Sequence, residues 1–267
     1  MKVKAKKNLG QNFLQSKTII KKIVNAANIS QSDTVLEIGP GLGALTTELA
    51  ETAKKVLTLE LDASLIPILQ ENLEKELTPK DLKRITILHQ DALQFDPSTH
   101  KTLKTPYHIV ANIPYYITSP LIRHFLTSTN PPKSLTLLVQ KEVAEKICAK
   151  TPSQPKSKHS ILSIQTQLYA TPSYAFKVEA KHFEPQPKVD SAVIHLETHK
   201  GYKNPELILQ LAKKAFSGRR KKLSNTLKEV PNLPTFVLLE KFKDLRPEHL
   251  TLKDWEELTL NIASDSE

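Results

Sequence analysis

Cys148 is the only cysteine among 267 residues, so neither an intramolecular disulfide nor a cysteine-built metal site can form. A lone thiol suits a reducing compartment, and a cytoplasmic location is expected. No apolar run approaches the ~20 residues that cross a bilayer, which argues against a helical membrane anchor. The N-terminus is basic but has no hydrophobic stretch behind it, unlike a secretory signal. It also lacks the Arg and Ser enrichment of a mitochondrial presequence. Acid is missing there too: residues 1–30 hold seven lysines and no Asp or Glu.

What is abundant is positive charge. Lys and Arg number 38 against 28 Asp and Glu, a formal net charge of +10. Such an excess favours a polyanionic partner, nucleic acid first and an anionic membrane second. A second basic run holds Lys213, Lys214, Arg219, Arg220, Lys221 and Lys222, where a helix is expected to break at Gly218 and a new one to begin. Runs of this kind are often no more than a solvated helix face.

The middle of the chain alternates apolar runs with helical patterns, which predicts parallel βαβ units and an α/β fold. Seven strands are expected, at Thr34–Ile38, Val56–Leu61, Ile85–His89, His108–Ala111, Leu135–Val139, Ser173–Val178 and Ser191–Glu197. Helices are expected over Ala44–Glu51, Leu65–Leu73, Lys141–Ala149 and Ile161–Tyr169. Residues 151–158 read as a polar, proline-bearing loop. The prolines of His182–Asp190 read as an ordered loop at the sheet edge. From Pro205 onward the spacing is helical throughout, with Trp255 in its core. A boundary near His199–Asn204 therefore divides residues 1–200, with their basic arm, from a small all-α domain over 201–267.

Two motifs carry chemistry. The first, Gly39-Pro40-Gly41-Leu42-Gly43-Ala44, follows a strand and fits the G-x-G-x-x-G/A pattern of nucleotide and nucleoside sites. Glu60 ends the next strand, where an acid accepts hydrogen bonds from ribose hydroxyls. Asp91 follows the third, placed to accept from an adenine amine. By itself the glycine pattern also admits NAD. The second motif is Asn112-Ile113-Pro114-Tyr115, after the fourth strand. An exocyclic adenine amine is a poor nucleophile because its lone pair is conjugated into the ring. The Asn112 side-chain oxygen and the Ile113 carbonyl could accept its two hydrogens and favour a more pyramidal nitrogen. Pro114 sets the chain direction, and the Tyr115 ring could stack on the base. Phe183 could close the base's other face.

These residues, with Asn8–Leu14, Glu37–Thr46, Glu60-Leu61-Asp62, Gln90-Asp91-Ala92 and Phe183–Val193, make the chain resemble the ribosomal RNA adenine N6,N6-dimethyltransferase family. The resemblance spans nearly the whole chain and implies a Rossmann-like methyltransferase with a mainly parallel seven-stranded sheet. It implies S-adenosylmethionine as cofactor. Gln11, Asn12 and Leu14 would fold over that cofactor, Gly39 and Gly41 would meet its methionine part, Glu60 the ribose and Asp91 the adenine. Asn112 would touch cofactor and target, with Tyr115 and Phe183 on either face of a flipped-out adenine. Arg219, Arg220, Lys221 and Lys222 would contact RNA. The implied substrate is two neighbouring adenines in a hairpin loop near the end of small-subunit rRNA, met on an assembling small ribosomal subunit. No metal, no membrane partner and a monomeric chain are expected. Phe183–Ala192 is most similar to the small-subunit branch rather than to the antibiotic-resistance enzymes acting on large-subunit RNA, although Gln186 stands where a third proline is expected. A ribosome-assembly factor without turnover and a nicotinamide oxidoreductase are the alternatives.

Overall fold

The computed structural model describes residues 5–6, 9–104, 106–149, 158–218, 221–227 and 241–263. They form two compact units, within Met1–Ala144 plus Ser173–Thr198 and within Glu145–Pro172 plus His199–Glu267. The helical unit thus takes in a stretch ahead of the sheet's last strands as well as the residues after His199.

The first unit begins with a two-residue strand, Phe13–Leu14 (β1), and the helix Lys17–Ala27 (α1). The Ser16 hydroxyl caps that helix by accepting from Ile19 N, which satisfies one orphan donor of the first turn. Ile20, Ile23, Val24 and Ala27 face the core at helical spacing. Asn28 ends the helix in the left-handed region, at φ 50. There follow Thr34–Ile38 (β2), Ala44–Thr52 (α2), Lys55–Glu60 (β3), Ile66–Glu76 (α3), Pro79–Leu82 (α4), Ile85–His89 (β4) and Tyr107–Asn112 (β5). Thr118–Leu126 (α5), Ser134–Gln140 (β6) and Lys141–Ile147 (α6) complete the run before residue 150. After Ile161–Gln167 (α7) come Ala170–Val178 (β7), Phe183–Glu184 (β8) and Ser191–Thr198 (β9).

Seven strands form one sheet in the order β4-β3-β2-β5-β6-β9-β7. The five from β4 to β6 are mutually parallel, and β9 runs antiparallel to β6. All five β2 residues are buried, as expected of a parallel strand covered on both faces. Ile38 is level with Leu59 on one side and Ala111 on the other. Glu60 is level with His89. The carboxyl ends of β2, β3, β4 and β5 therefore share one edge, and the chain reverses its order between β2 and β5, where open α/β sheets bind ligands.

Beyond the helices α1 and α5, which no stated pattern anticipates, two strand features depart from expectation. β7 starts three residues before the expected Ser173 and contains Pro172; it tolerates that proline because it is the sheet's edge strand. β1 pairs antiparallel with β8, Leu14 opposite Phe183, a contact across the sequence that no local pattern signals.

In the second unit, α7 opens on a capping box between Ser160 and Ser163. Pro205–Ser217 (α8), Leu223–Thr226 (α9), Leu252–Ala263 (α10) and a short 3-10 turn at Pro247–His249 also belong to it. Ile164, Leu168, Ile208, Leu211, Leu223, Phe242 and Trp255 share its core. No helix among the described residues is long and apolar enough to cross a membrane.

Candidate functional site

A cavity of about 790 Å³ opens at the shared strand edge of the first unit. Its wall is built from four strand-end loops and from residues 9–15 of the N-terminal segment. The loop after β2 turns through glycines with positive φ, Gly39 at 69, Gly41 at 58 and Gly43 at 93. A methyl group on Gly41 would meet the Phe13 ring at 3.1 Å, and one on Gly43 would meet Leu69 Cδ1 at 2.8 Å. Only glycine gives both the left-handed turn and these close approaches.

Of the acidic residues that line the cavity, Glu60, Asp91 and Glu37 stand at or near strand ends and differ in surroundings. Glu60 accepts from Gly41 N at 3.1 Å and from Asp62 N at 2.8 Å, so the glycine loop and the end of β3 are joined through its side chain. Burial raises its pKa, against the opposing pull of those two N–H groups. Asp91 accepts from Leu93 N at 2.9 Å in a turn after β4. Glu37, in the middle of the sheet, is 1% exposed, and neither carboxyl oxygen has a hydrogen-bond partner among the described residues. Burial pushes its pKa up to about 8; the nearby Thr46 hydroxyl opposes the shift and the charge of Glu60 adds to it.

Native Glu37 therefore keeps its proton up to about pH 8, whereas the unfolded chain loses it near the ordinary glutamate value of ~4.3. Between those limits the native state binds more protons, so stability falls as pH rises. Across that window the stability of the native sequence relative to Glu37→Gln should decline by about 1.4 kcal/mol per pH unit. Denaturation midpoints of both proteins from pH 5 to 8 measure this, and parallel pH profiles would contradict it.

On the opposite wall, β5 delivers Asn112. Its Nδ2 donates to the Asn12 carbonyl at 3.2 Å, which orients the amide and leaves the Oδ1 lone pairs for another donor. Ile113, Pro114 and Tyr115 continue the wall. The Tyr115 hydroxyl bonds Ser191 Oγ at 2.7 Å, anchoring the ring to β9. Burial raises the phenol pKa, with the Ser191 bond opposing.

Of the residues singled out in the sequence, Gln11, Asn12, Leu14, Gly39, Gly41, Glu60, Asp91, Asn112, Ile113, Pro114 and Tyr115 all line this cavity. Phe183 does not. It is 3% exposed and packed in the first unit's core with Leu14 and Val178, because the β1–β8 pairing draws it inward. Lys221 and Lys222 lie in the second unit, ahead of α9, and Lys222 Nζ pairs with Asp244 at 2.6 Å. Arg219 and Arg220 lie outside the described residues. Sequence reasoning missed the roles of Ser191, Asp62 and Lys6. Asp62 stands two residues beyond Glu60, and its bonds to Ser64 are local, but nothing local announces its distant partners Lys6 and Gln11.

A family model described as "Ribosomal RNA adenine dimethylase" matches residues 2–259. Proteins named "Ribosomal RNA small subunit methyltransferase A" are similar along most of their length. The Clostridium botulinum protein is 43% identical, covering 85% of this chain and 81% of its own. That of Alkaliphilus oremlandii is 39% identical, with 97% and 92% covered, and that of Coxiella burnetii 36%, with 95% and 96%. Among solved structures, a dimethyladenosine transferase from Plasmodium falciparum superposes with a TM-score of 0.78 at 28% identity, over 94% of this chain and 98% of that one. The 23S rRNA methyltransferase ErmE superposes with a TM-score of 0.73 at 25% identity, over 94% and 100%.

Proposed function

The chain belongs to the ribosomal RNA adenine dimethylase family, and from that premise we propose that it converts two adjacent adenosines of small-subunit rRNA to N6,N6-dimethyladenosine during subunit biogenesis. The target adenosines lie in a hairpin loop near the RNA 3′ end, and the methyl donor is S-adenosylmethionine. The observation that carries this reading is the Asn112 amide, oriented by the Asn12 carbonyl on the wall of a cavity that Glu60 and the glycine loop also line.

The cavity fits that cofactor on its own terms. Two buried carboxyl groups, Glu37 and Glu60, line it, and both oxygens of Glu37 lack a partner among the described residues, so the protonated Glu37 carboxyl leaves a donor and acceptors open to a polar ligand. When bound, S-adenosylmethionine supplies an electrophilic methyl group on a sulfonium centre. Glu60 would accept from the ribose hydroxyls and Asp91 from the adenine amine. Gly39 and Gly41 would leave room for the methionine part, and Gln11, Asn12 and Leu14 would cover it.

On the acceptor side, Asn112 Oδ1 and the Ile113 carbonyl would accept the two N6 hydrogens, directing the nitrogen lone pair at the methyl group as positive charge grows. Tyr115, held by Ser191, would stack on the base. The methylated nitrogen then loses its proton to water, so no strong base is required. Phe183 is proposed for the second face, and at 3% exposure it could reach a base only if β8 shifts from β1.

The second unit would grip the RNA backbone through Arg219, Arg220, Lys221 and Lys222. The Lys222–Asp244 pair is largely exposed and is worth too little to withhold that lysine from a phosphate. Reversing the charge of Arg219 and Arg220 to Glu should weaken RNA binding and flatten its salt dependence by ~0.7–0.9 log units per lost phosphate contact. S-adenosylmethionine affinity should stay unchanged. Equal RNA affinity in the double variant would remove this role.

Labelled S-adenosylmethionine offered with immature small subunits, large subunits and free RNA tests the whole reading. Dimethyladenosine in small-subunit RNA alone supports it. Label in large-subunit RNA would instead move the chain toward the activity in the name of its structural neighbour ErmE. Absence of transfer to any acceptor would defeat it.

A further inference from the structure

Residues 9–14 line the cavity with little regular structure of their own beyond the two-residue strand β1. Something must hold them there, and the bonds are specific. Asp62, whose side chain is only 3% exposed, gathers donors from three residues. Its Oδ1 accepts from Lys6 Nζ at 2.7 Å, from Ser64 Oγ at 2.6 Å and from Ser64 N at 3.1 Å. Its Oδ2 accepts from Gln11 Nε2 at 3.0 Å. The Gln11 side chain is gripped from the other end as well, since its Oε1 accepts from Lys6 N at 2.8 Å.

The same segment is tied across the cavity. Gly10, at φ +62, lies so close to Pro114 and the Tyr116 ring that a methyl group on it would sit 3.4–3.5 Å from both. The Asn12 carbonyl accepts from Asn112, and the Asn12 side chain closes a bond to the Gly10 carbonyl at 3.1 Å. The segment is thus a strap fastened at the end of β3 by Asp62 and at the end of β5 by Asn112.

We propose that Asp62, through Lys6 and Gln11, is a positioning residue: it clasps the strap over the donor cavity and so holds the Asn12 carbonyl where it orients the Asn112 amide. The inference rests on the reading of this cavity as an S-adenosylmethionine site. Asp62 suits the task. Burial alone would raise its pKa, but the donors from Lys6, Ser64 and Gln11 outweigh that and hold it down to about 2. The clasp is therefore ionised across the working pH range. Bonds to a charged partner are also the stronger kind. Because Lys6 is half-exposed, breaking the clasp from its side costs the core nothing.

Lys6→Met, Asp62→Asn and the double variant test the clasp by S-adenosylmethionine affinity, amide hydrogen exchange of residues 9–14, and turnover at saturating cofactor. Each single change should weaken cofactor binding by ~10-fold, the loss of about one charged hydrogen bond, chiefly through faster release. Exchange at residues 9–14 should rise while the sheet's stays constant. The double variant should be no worse than Asp62→Asn, and Asp62→Asn should also lower turnover several-fold, because the Asn112 amide loses its support. A merely structural Asp62 would lower the melting point and leave affinity and strap exchange untouched. Wild-type protein that binds S-adenosylmethionine, with Lys6→Met matching it in affinity and exchange, overturns the inference alone. Wild-type protein that binds none overturns the proposed function and this inference together.

Discussion

Asn112→Ala is expected to lower turnover by ~10²–10³-fold, the usual cost of removing one preorganised acceptor or donor at a centre where charge develops. The loss should appear in kcat at saturating cofactor and RNA, because the proposed bond from N6–H to Oδ1 would strengthen as the nitrogen becomes cationic. Cofactor affinity should weaken far less, since Glu60, Asp91 and the glycine loop remain. Asn112→Asp is informative beside it. A carboxylate can still accept but cannot donate to the Asn12 carbonyl, which Nδ2 does at 3.2 Å. It should therefore recover only part of the lost rate. Single-turnover methylation with labelled cofactor measures both variants, and an Asn112→Ala enzyme within tenfold of wild type would rule out the role.

Phe183→Ala is expected to destabilise the first unit by ~3–5 kcal/mol, as large-to-small changes of buried aromatic residues do. The side chain is 3% exposed and shares a core cluster with Leu14, Val178 and Val193. Deleting it opens a cavity directly behind the strap, so residues 9–14 should lose order as well. Phe183→Leu separates packing from stacking. Leucine keeps most of the apolar volume and offers no aromatic face, so stability should largely return. Turnover should stay low if the ring leaves the core to meet the target adenine. Full activity in Phe183→Leu would reduce Phe183 to a packing residue, and unchanged denaturation midpoints in Phe183→Ala would contradict the burial argument itself.

The strands were legible because a parallel sheet buried on both faces writes itself as short apolar runs. β2, buried at all five positions, occupies the expected residues Thr34–Ile38, and the half-exposed edge strand β4 is still read at Ile85–His89 from Ile85, Ile87 and Leu88. Where expectation and structure part, tertiary context decided. Pro172 discourages a strand locally, yet β7 contains it because an edge position leaves one side of the ladder free. Phe183 reads locally as a loop aromatic beside charged neighbours and is drawn into the core by pairing with β1.

Fold class, the glycine turn, and the carboxylates and amide at successive strand ends are all readable from residue order. Those features follow from periodicity, backbone freedom at glycine and the length of a βα unit, all of which act within a few residues. Which of them meet depends on how the chain packs. Asn12 and Asn112 are 100 residues apart, Tyr115 and Ser191 76, Lys6 and Asp62 56. Such bonds depend on strand order and on where each loop leaves the sheet. No local propensity encodes a partner at that distance, so the strap, its clasp and the buried place of Phe183 emerge only when the strand ends come together.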